Sequence, residues 1–302
     1  MTLRISFKTS PQRVDWATLD ATWRHAGELS AGGGPEAFDG GWMNDHLVDM
    51  DPARPGPSFE ALTLLATLVH HVPGLRVGHA VLSNTFRHPV LVAKAAVVLD
   101  HAAGGGGRFV LGLGAGWFEQ EHGPFGIGLP AIGERITRLE SAVDTITALF
   151  SPAAAGLPGV TRDDPFYPLR AAVNLPGPLT AGGPPLFLGG QRPRGIRLAA
   201  RAADGWLLPG TEAGDDTYFR AKREELIRAL EDAGRDPGTF ELVGQVSVGP
   251  DAASRARALE QARRLVAAGA TEIILGMSPS LGPAGLDDVQ RELLLPLRDH
   301  AR

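Results

Sequence analysis

Short apolar runs alternate along the chain with longer stretches in which apolar residues recur every three or four positions. The short runs predict strands and the periodic stretches predict amphipathic helices. The predicted strands are 3–7, 38–43, 75–82, 109–113, 186–188, 205–208, 240–248 and 271–275. The predicted helices are 15–27, 58–71, 89–103, 132–150, 194–203, 216–233, 252–268 and 287–300.

This alternation of strand and helix predicts an α/β protein, a single (β/α)8 TIM barrel over residues 1–302. An open doubly wound sheet is the alternative architecture, but eight units over 302 residues fit a closed barrel better. Ser58 is the expected cap of the second helix, with Glu60 in its first turn. Pro89 stands where the first turn of the third helix is expected.

Residues 151–184 interrupt the alternation. They are rich in Pro, Gly and Ala and carry one short aromatic run, Phe166-Tyr167. We expect an insertion loop over the barrel mouth that has room for a hairpin. A loop of this length in a compact domain is usually functional or mobile.

Composition narrows the class of protein further. The formal net charge is -5 and the charges are evenly spread, which argues against a nucleic-acid partner. No apolar run approaches the ~20 residues of a membrane span, and the start Met1-Thr2-Leu3-Arg4-Ile5 does not resemble a signal peptide. The chain has no cysteine, which excludes disulfides and thiolate chemistry. We therefore expect a cytoplasmic protein that acts on a small molecule, as a monomer or a homodimer.

The end of the second predicted strand carries the first candidate site. Asp45 and His46 follow Trp42-Met43, at the strand end where barrel enzymes keep reactive groups. A histidine titrates near neutral pH and can pass a proton, and a neighbouring carboxylate can orient it or contact a cofactor. The alternative is that Asp45 caps the loop and His46 packs on Trp42.

Two glycine-rich turns and one polar strand end are further candidates. The run Gly112-Leu113-Gly114-Ala115-Gly116 follows the fourth strand and would let a flat ligand or phosphate approach the backbone, or is simply a tight turn. Gly189 and Gly190, with Arg192 and Arg194, open the next helix and indicate an anion site; solvated arginines are the alternative.

The third strand ends at Ser83-Asn84, whose side chains either hydrogen-bond a polar ring or cap the turn before Pro89. Metal binding is not expected. His46, His79 and His122 are the histidines that could meet at the mouth, but the chain has no HxH or HExxH pattern. It also lacks the GxSxG signature of a serine hydrolase.

Taken together, four segments resemble the bacterial luciferase-like superfamily of flavin- and deazaflavin-dependent oxidoreductases, and most of all its coenzyme F420-dependent branch. The segments are FDGGWMNDHL (38–47), LRVGHAVLSNTFRHP (75–89), RFVLGLGAGWFEQEHGPFGIG (108–128) and PLFLGGQRPRGIRLAARAADGW (185–206). The resemblance covers nearly the whole chain and implies a TIM-barrel enzyme that binds F420, or alternatively FMN.

The resemblance also implies roles for individual residues. Asp45 and His46 match the Asp-His pair beside the deazaflavin, so His46 is the candidate acid or base and Asp45 its positioning partner. The third strand is expected to end in a bulge with a non-prolyl cis peptide at Ala80-Val81 that supports the cofactor ring, with Ser83 close by. The cofactor's ribityl chain and phosphate are expected on a set of residues that follow the fourth and fifth strands, namely Ala115, Gly116, Gln120, Gly189, Gly190 and Arg192.

One position departs from the pattern. The sugar-phosphate dehydrogenases of the F420 branch carry a catalytic glutamate where this chain has Trp117, which argues against glucose-6-phosphate as a substrate. Trp42 and Trp117 are candidates for the pocket wall or for the core. The expected reaction is hydride transfer with F420, or O2 activation with FMN, since a deazaflavin lacks the N5 atom that stabilises oxygen adducts. A non-catalytic flavin-binding protein and a cofactor-independent lyase or isomerase are the alternatives.

Overall fold

Eight parallel strand positions close into a barrel, as the sequence predicts. The computed structural model describes residues 2–51 and 53–300, so that Met1 and Arg302, the ends of the predicted domain, lie outside it. The barrel strands are β1 (Arg4–Thr9), β2 (Gly40–Met43), β3 (Arg76–His79), β4 (Leu82–Ser83), β5 (Phe109–Gly114), β8 (Leu186–Gly189), β9 (Gly205–Leu207), β10 (Glu241–Val248) and β11 (Glu272–Met277), while β6 (Val160–Arg162) and β7 (Leu169–Ala172) form a separate pair. Neighbouring strands follow the order β3-β2-β1-β11-β10-β9-β8-β5-β4, and pairing of β3 with β5 closes the barrel.

Helices follow the strands and cover the outside of the barrel. They are α1 (Trp16–Ser30), α2 (Ala61–Leu68), α3 (Pro89–Ala103), α4 (Ile132–Phe150), α5 (Pro193–Ala202), α6 (Asp216–Asp232), α7 (Ala252–Ala267), α8 (Gly282–Val289) and α9 (Leu295–His300). Short 3-10 turns occur at Val69–His71, Glu119–Glu121, Gly123–Phe125, Pro152–Ala154, Gly210–Glu212, Pro237–Thr239 and Pro279–Leu281, and a π segment, Gln290–Leu294, joins α8 to α9. No helix in the described ranges is both long enough and apolar enough to cross a membrane.

Three of the differences from the predicted boundaries have a clear physical reason. Ser58 does not cap α2, because its hydroxyl donates to the His46 carbonyl at 2.9 Å; Glu60 is the cap and accepts from the Thr63 amide. The third predicted strand is divided into β3 and β4 by a cis peptide bond at Ala80-Val81. The last helical region begins at Gly282, five residues earlier than the pattern indicates, since a proline at its first turn is compatible with a helix start.

The insertion contains the predicted hairpin, but it lies on the outside of the barrel and not over its mouth. Strands β6 and β7 pair antiparallel against α4, where the Thr145 hydroxyl donates to the Tyr167 carbonyl at 3.2 Å. Thr180 donates its hydroxyl to Asp100 at 2.6 Å, near the C-terminal end of α3. That end of α3 faces away from the barrel mouth, and Tyr167 and Leu169 are buried against the helices. The prediction was wrong because the insertion covers apolar surface of α3 and α4.

Alternating residues of each strand face the barrel interior, which is filled in layers. The middle layer is an apolar cluster, referred to below as the interior cluster, of Trp42, Val110, Phe187, Leu207, Val243 and Ile274. Ala80 and Val81 pack on it from the mouth side. Trp42 is fully buried in this cluster, so it belongs to the core and not to a pocket wall.

A buried ion network lies within and below the interior cluster. The fully buried Glu272 carboxylate accepts hydrogen bonds from the Ser6 hydroxyl (2.6 Å), the Trp42 indole (2.7 Å) and the Arg76 guanidinium (3.1 Å). Arg76 also forms a two-pronged pair with Glu241, at 2.7 and 2.8 Å. Burial alone would raise the pKa of Glu241, but the hydrogen bonds and charge of Arg76 outweigh burial and lower it. The network thus depends on one guanidinium that serves two carboxylates.

We predict that Arg76→Met lowers the free energy of unfolding by ~3–5 kcal/mol, because it leaves the fully buried Glu272 carboxylate without its cation. Arg4 offers a matched control, since it also binds Glu241, at 2.6 Å, but its side chain is 39% exposed. Arg4→Met should cost no more than ~1 kcal/mol. Urea denaturation followed by tryptophan fluorescence measures both. Equal, small losses in the two variants would show that Arg76 does not hold the network together.

Candidate functional site

His46 lies at the barrel mouth, on the loop that follows β2, as the sequence predicts. Its Nδ1 is 3.1 and 3.2 Å from the two carboxylate oxygens of Glu121, which accept a hydrogen bond from the Nδ1–H group. Glu121 is buried and also accepts from the Leu47 amide at 2.9 Å, so both the loop and the ring are fixed by one side chain. No group in the described part of the chain bonds to Nε2, and this nitrogen is therefore available to a ligand.

Two aromatic rings flank the His46 imidazole. Trp117 and Phe118 approach it edge-on, with centroid distances of 6.0 and 5.9 Å. Phe118 is buried, whereas Trp117 is 59% exposed. Trp117 is therefore positioned to form a wall of the mouth beside His46, one of the two roles considered for it from the sequence.

Asp45 has a different role from the one predicted. Its side chain is inaccessible to solvent; Oδ2 accepts from the Ser83 amide (2.8 Å) and from Arg87 (2.7 Å), and Oδ1 accepts from Arg87 (2.9 Å). These bonds occupy the carboxylate, and Glu121 takes the place beside His46 that was expected for Asp45. Asp45 therefore ties the β2 loop to β4 and does not position the histidine.

Arg87 is the centre of a second ion network. Besides Asp45 it binds Glu60, the cap of α2. Burial opposes ionisation of Glu60, but hydrogen bonds from Thr63 and the charge of Arg87 outweigh it and lower the pKa of Glu60 to about 2. Burial would likewise lower the pKa of Arg87, but the bonds to Asp45 and Glu60 raise it. Glu60 and Arg87 therefore both stay charged near neutral pH.

A chain of hydrogen bonds leads from Ser83 into the turn after β5. The hydroxyls of Ser83 and Thr85 are 2.6 Å apart, and the Thr85 hydroxyl lies 2.7 Å from Nε2 of His122. Nδ1 of this buried histidine donates to the Phe118 carbonyl at 2.7 Å, so Nε2 accepts from Thr85 when the ring is neutral. Ser83 is thereby held at the mouth, next to the Ala80-Val81 peptide.

The Ala80-Val81 bond is cis, as the resemblance implied. The glycines of β5 and β8 make room for the Val81 side chain: a Cβ on Gly114 would lie 2.7 Å, and one on Gly189 3.2 Å, from Val81 Cγ2. Any larger residue at Gly114 would force the Val81 side chain to move. The glycine pattern after these strands therefore reflects packing against Val81 as well as space for a ligand.

The turn after β5 exposes unbonded backbone amides. Gly116 has φ +78°, a conformation that favours glycine, and a Cβ there would lie 2.7 Å from the hydroxyls of Ser83 and Thr85. Glycine is therefore required both by the backbone conformation and by the lack of space. Arg135 holds the turn by donating to the Gly116 carbonyl at 2.6 Å. The amides of Ala115 and Gly116 donate to no other group in the described ranges and are free for an anion.

Of the residues predicted to bind an anion after β8, some have structural contacts within the protein and one is available to a ligand. Gly190 packs on the start of α5, where a Cβ would lie 3.1 Å from the Gly195 Cα. Arg194 is occupied by Glu140, at 2.5 Å. Arg192 is exposed at the N-cap position, directly before α5, and forms no ion pair in the described part of the chain. The helix has no side-chain cap. Arg192 is thus the cation available to a ligand there.

Other predicted residues do not join the site. Gln120 is exposed beyond the turn and has no hydrogen bond within the described ranges. His79 faces outward, away from the mouth, where Nε2 donates to the Ala61 carbonyl at 3.1 Å. Across the described residues, no three His, Cys, Asp or Glu side chains are grouped as metal ligands.

Sequence reasoning missed Glu121 and Arg87. Both belong to segments that carry the family resemblance, but neither stands in a recognisable motif. Glu121 is 75 residues from His46, and Arg87 is 42 residues from Asp45. Glu121 is flanked by Gln120 and His122, and Arg87 lies in a polar turn, so no local pattern distinguishes either residue from its neighbours.

Comparison with known proteins gives a consistent family. The sequence profile of the luciferase-like monooxygenase family matches residues 4–291. A phthiodiolone/phenolphthiodiolone dimycocerosates ketoreductase of Mycobacterium sp. (strain JLS) is 30% identical over 217 residues, 66% of this chain and 54% of that protein. The chain thus matches only about half the length of that relative.

Two further proteins are similar over more of their length. An F420-dependent glucose-6-phosphate dehydrogenase of Nakamurella multipartita is 28% identical over 267 residues, 86% of this chain and 71% of that protein. The solved structure of an F420-dependent secondary alcohol dehydrogenase in complex with an F420-acetone adduct superposes with a TM-score of 0.78. That superposition covers 98% of this chain and 99% of the other at 16% identity, which establishes a common fold.

We predict that His79 makes the protein less stable in mild acid. Burial lowers its pKa from 6.5 to about 4, so the unfolded chain takes up a proton first as the pH falls. Stability should therefore decline by ~3 kcal/mol between these two pH values and show no further loss from this residue below them. Urea denaturation at a series of pH values, on wild type and His79→Gln, measures the difference. Parallel pH dependences in the two proteins would contradict the prediction.

Proposed function

Because this chain belongs to the luciferase-like monooxygenase family, we propose that it is an F420-dependent oxidoreductase that transfers hydride between the deazaflavin and a small organic substrate. The observation that carries the proposal is the His46–Glu121 pair at the mouth of the barrel, in which Glu121 binds Nδ1 and leaves Nε2 without a partner in the described part of the chain. The names of the similar proteins support it, since two of them are called F420-dependent and a third a ketoreductase.

The residues present fit such a cofactor. The free amides of Ala115 and Gly116 suit its polar chain, and the uncapped start of α5 with the unpaired Arg192 suits its phosphate. Ala80 and Val81 rest on the interior cluster and provide a rigid support for a planar ring. When bound, the deazaflavin would supply the two-electron hydride chemistry of the reaction.

The protein's part is to handle the proton that accompanies hydride transfer. Glu121 holds Nδ1–H of His46, which leaves Nε2 directed away from the carboxylate and able to give or take a proton at the mouth. Trp117 covers one side of the His46 imidazole with an edge-on contact. Asp45 acts at a distance, by keeping Arg87 and the Ser83 backbone in place.

Trp117 also bears on the choice of substrate. A tryptophan where the sugar-phosphate dehydrogenases of the F420 branch carry a glutamate removes an acid from the mouth and adds an apolar wall. We therefore propose an alcohol or carbonyl substrate other than glucose 6-phosphate.

F420 should bind more tightly than FMN in parallel fluorescence titrations of the purified protein. The expected reason is that the cofactor cradle, which is formed by the bulge between β3 and β4 and by the turns after β5 and β8, offers amides and one arginine to the longer, anionic chain of F420. Micromolar FMN binding without detectable F420 binding would assign the protein to the FMN-dependent monooxygenases instead.

Two arginines provide the matched variants for this titration. Arg192→Ala should weaken F420 binding about tenfold, the loss expected for one charge-assisted hydrogen bond. Arg194→Ala, which breaks the pair with Glu140, should change affinity much less. Equal effects would place the phosphate away from the start of α5.

His46→Ala should lower kcat by ~10²–10⁴-fold, the usual contribution of a general acid or base, with a much smaller effect on F420 affinity. Glu121→Gln should lower kcat by ~10–100-fold, because a neutral amide forms a weaker hydrogen bond with Nδ1–H of His46 than the carboxylate does. Turnover of a panel of alcohols and ketones, followed by cofactor absorbance, measures both, and a thermal melt accompanies each variant. Near-normal kcat with a reduced melting temperature would make His46 a purely structural residue.

Glu119→Gln is the control for Glu121→Gln. Glu119 lies two residues away on the same turn, is exposed and does not contact His46. Its replacement should leave kcat unchanged. A loss as large as that of Glu121→Gln would mean that the net charge of the turn, and not the bond to His46, matters.

A further inference from the structure

Lys8 is a cation inside the mouth of the barrel that has no anionic partner. It is the last inward-facing residue of β1, and its ammonium donates to the Gln245 side-chain carbonyl at 2.5 Å. No carboxylate in the described ranges is within ion-pairing distance of it. The other inward-facing charges, Arg4 and Arg76, are paired with Glu241 or Glu272 nearer the barrel floor.

The surroundings of Lys8 leave room for a ligand. In the strand register Lys8 is level with Gly276 of β11, which is in turn level with Ser247 of β10. Gly276 has no side chain, and a Cβ there would lie 3.3 Å from Lys8 Cε. Lys8 and Gly276 are partly accessible and Ser247 is exposed, so this row opens to solvent at the mouth.

Gln245 is held in a fixed orientation. Its amide nitrogen donates to the Leu208 carbonyl, so its oxygen must face Lys8. Because Gln245 is neutral, it accepts one hydrogen bond from the ammonium group but leaves the positive charge of Lys8 uncompensated. Burial lowers the pKa of Lys8 from 10.5 to about 8, which still leaves the group mostly protonated at neutral pH.

The position of this row relative to the cofactor cradle indicates what it binds. The cradle is formed by the bulge between β3 and β4 and by the turns after β5 and β8. Around the closed barrel, β1, β11 and β10 lie across from these strands. The loop that carries His46 follows β2, between the two sides. A ring held on the cradle would thus have Lys8 on its substrate side.

We propose that Lys8, with Ser247 in the same row beyond Gly276, binds the carboxylate of the substrate, which makes the substrate a small alcohol or carbonyl compound bearing a carboxylate. This inference rests on the proposed function and names the substrate class of the same site. A single ammonium and a hydroxyl match one singly charged group. A phosphate ester, with its higher charge, is usually met by several cationic donors or by a bidentate arginine.

The first test needs neither cofactor nor turnover. The chain has three lysines, Lys8, Lys94 and Lys222, so protein labelled at the lysine ε-carbon gives three resolvable NMR signals. Sodium acetate is titrated in at constant ionic strength, with inorganic phosphate as the comparison anion. We expect a saturable shift of the Lys8 signal with acetate, larger than with phosphate, and none for the other two.

Lys94 and Lys222 serve as internal controls, since Lys94 donates to the Leu175 carbonyl at the surface and Lys222 is paired with Glu225. A Lys8 signal that moves no more than theirs would overturn the proposal. A stronger response to phosphate would overturn the assignment to carboxylates. Because this experiment uses the wild-type protein, its result does not depend on whether a Lys8 variant folds.

The second test separates this proposal from the proposed function. Lys8→Met should raise KM for keto or hydroxy acids at least about tenfold relative to their uncharged analogues, with F420 affinity and kcat changed much less, while Lys94→Met should change neither. Equal KM effects on both substrate sets would refute the carboxylate role. If wild type binds no F420, the proposed function fails, but the acetate titration still decides what Lys8 binds.

Discussion

The barrel depends on one carboxylate enclosed within it. Glu272 lies on β11 and accepts hydrogen bonds from Ser6 on β1, Trp42 on β2 and Arg76 on β3, so four consecutive strands are joined by one side chain. An isolated buried charge is very costly, and this one is tolerated only because every strand is in the register that supplies its partner. A slip of one residue in any of these strands would turn the partner to the outside.

That register determines what reaches the mouth. Because Ser6 faces inward, Lys8 two residues later also faces inward, and the same alternation brings Gln245 to the interior of β10. Between floor and mouth lies the interior cluster, on which Ala80 and Val81 rest. The candidate site is therefore supported from below by a packed apolar layer, as the proposed binding of a planar ring would require.

The three carboxylates around the mouth have separate tasks, which follow from their partners. Asp45 and Glu60 share Arg87 and fix the loops after β2 and β4. Glu121 alone contacts the imidazole of His46. On the neighbouring β1, Lys8 has only a neutral amide as its partner. The mouth thus has an imidazole after one strand and an uncompensated positive charge on the next, which is the arrangement that the proposed anionic substrate requires.

The sequence by itself determined the order of strands and helices, the closed barrel, the hairpin in the insertion and the place of His46, because hydrophobic period and turn residues are local properties of the chain. Its resemblance to a family also located the cis bond at Ala80-Val81. The tertiary structure decided which carboxylate reaches His46 and where the insertion packs. These depend on contacts between residues far apart in the chain, whose distances follow from loop paths and packing that no local pattern records.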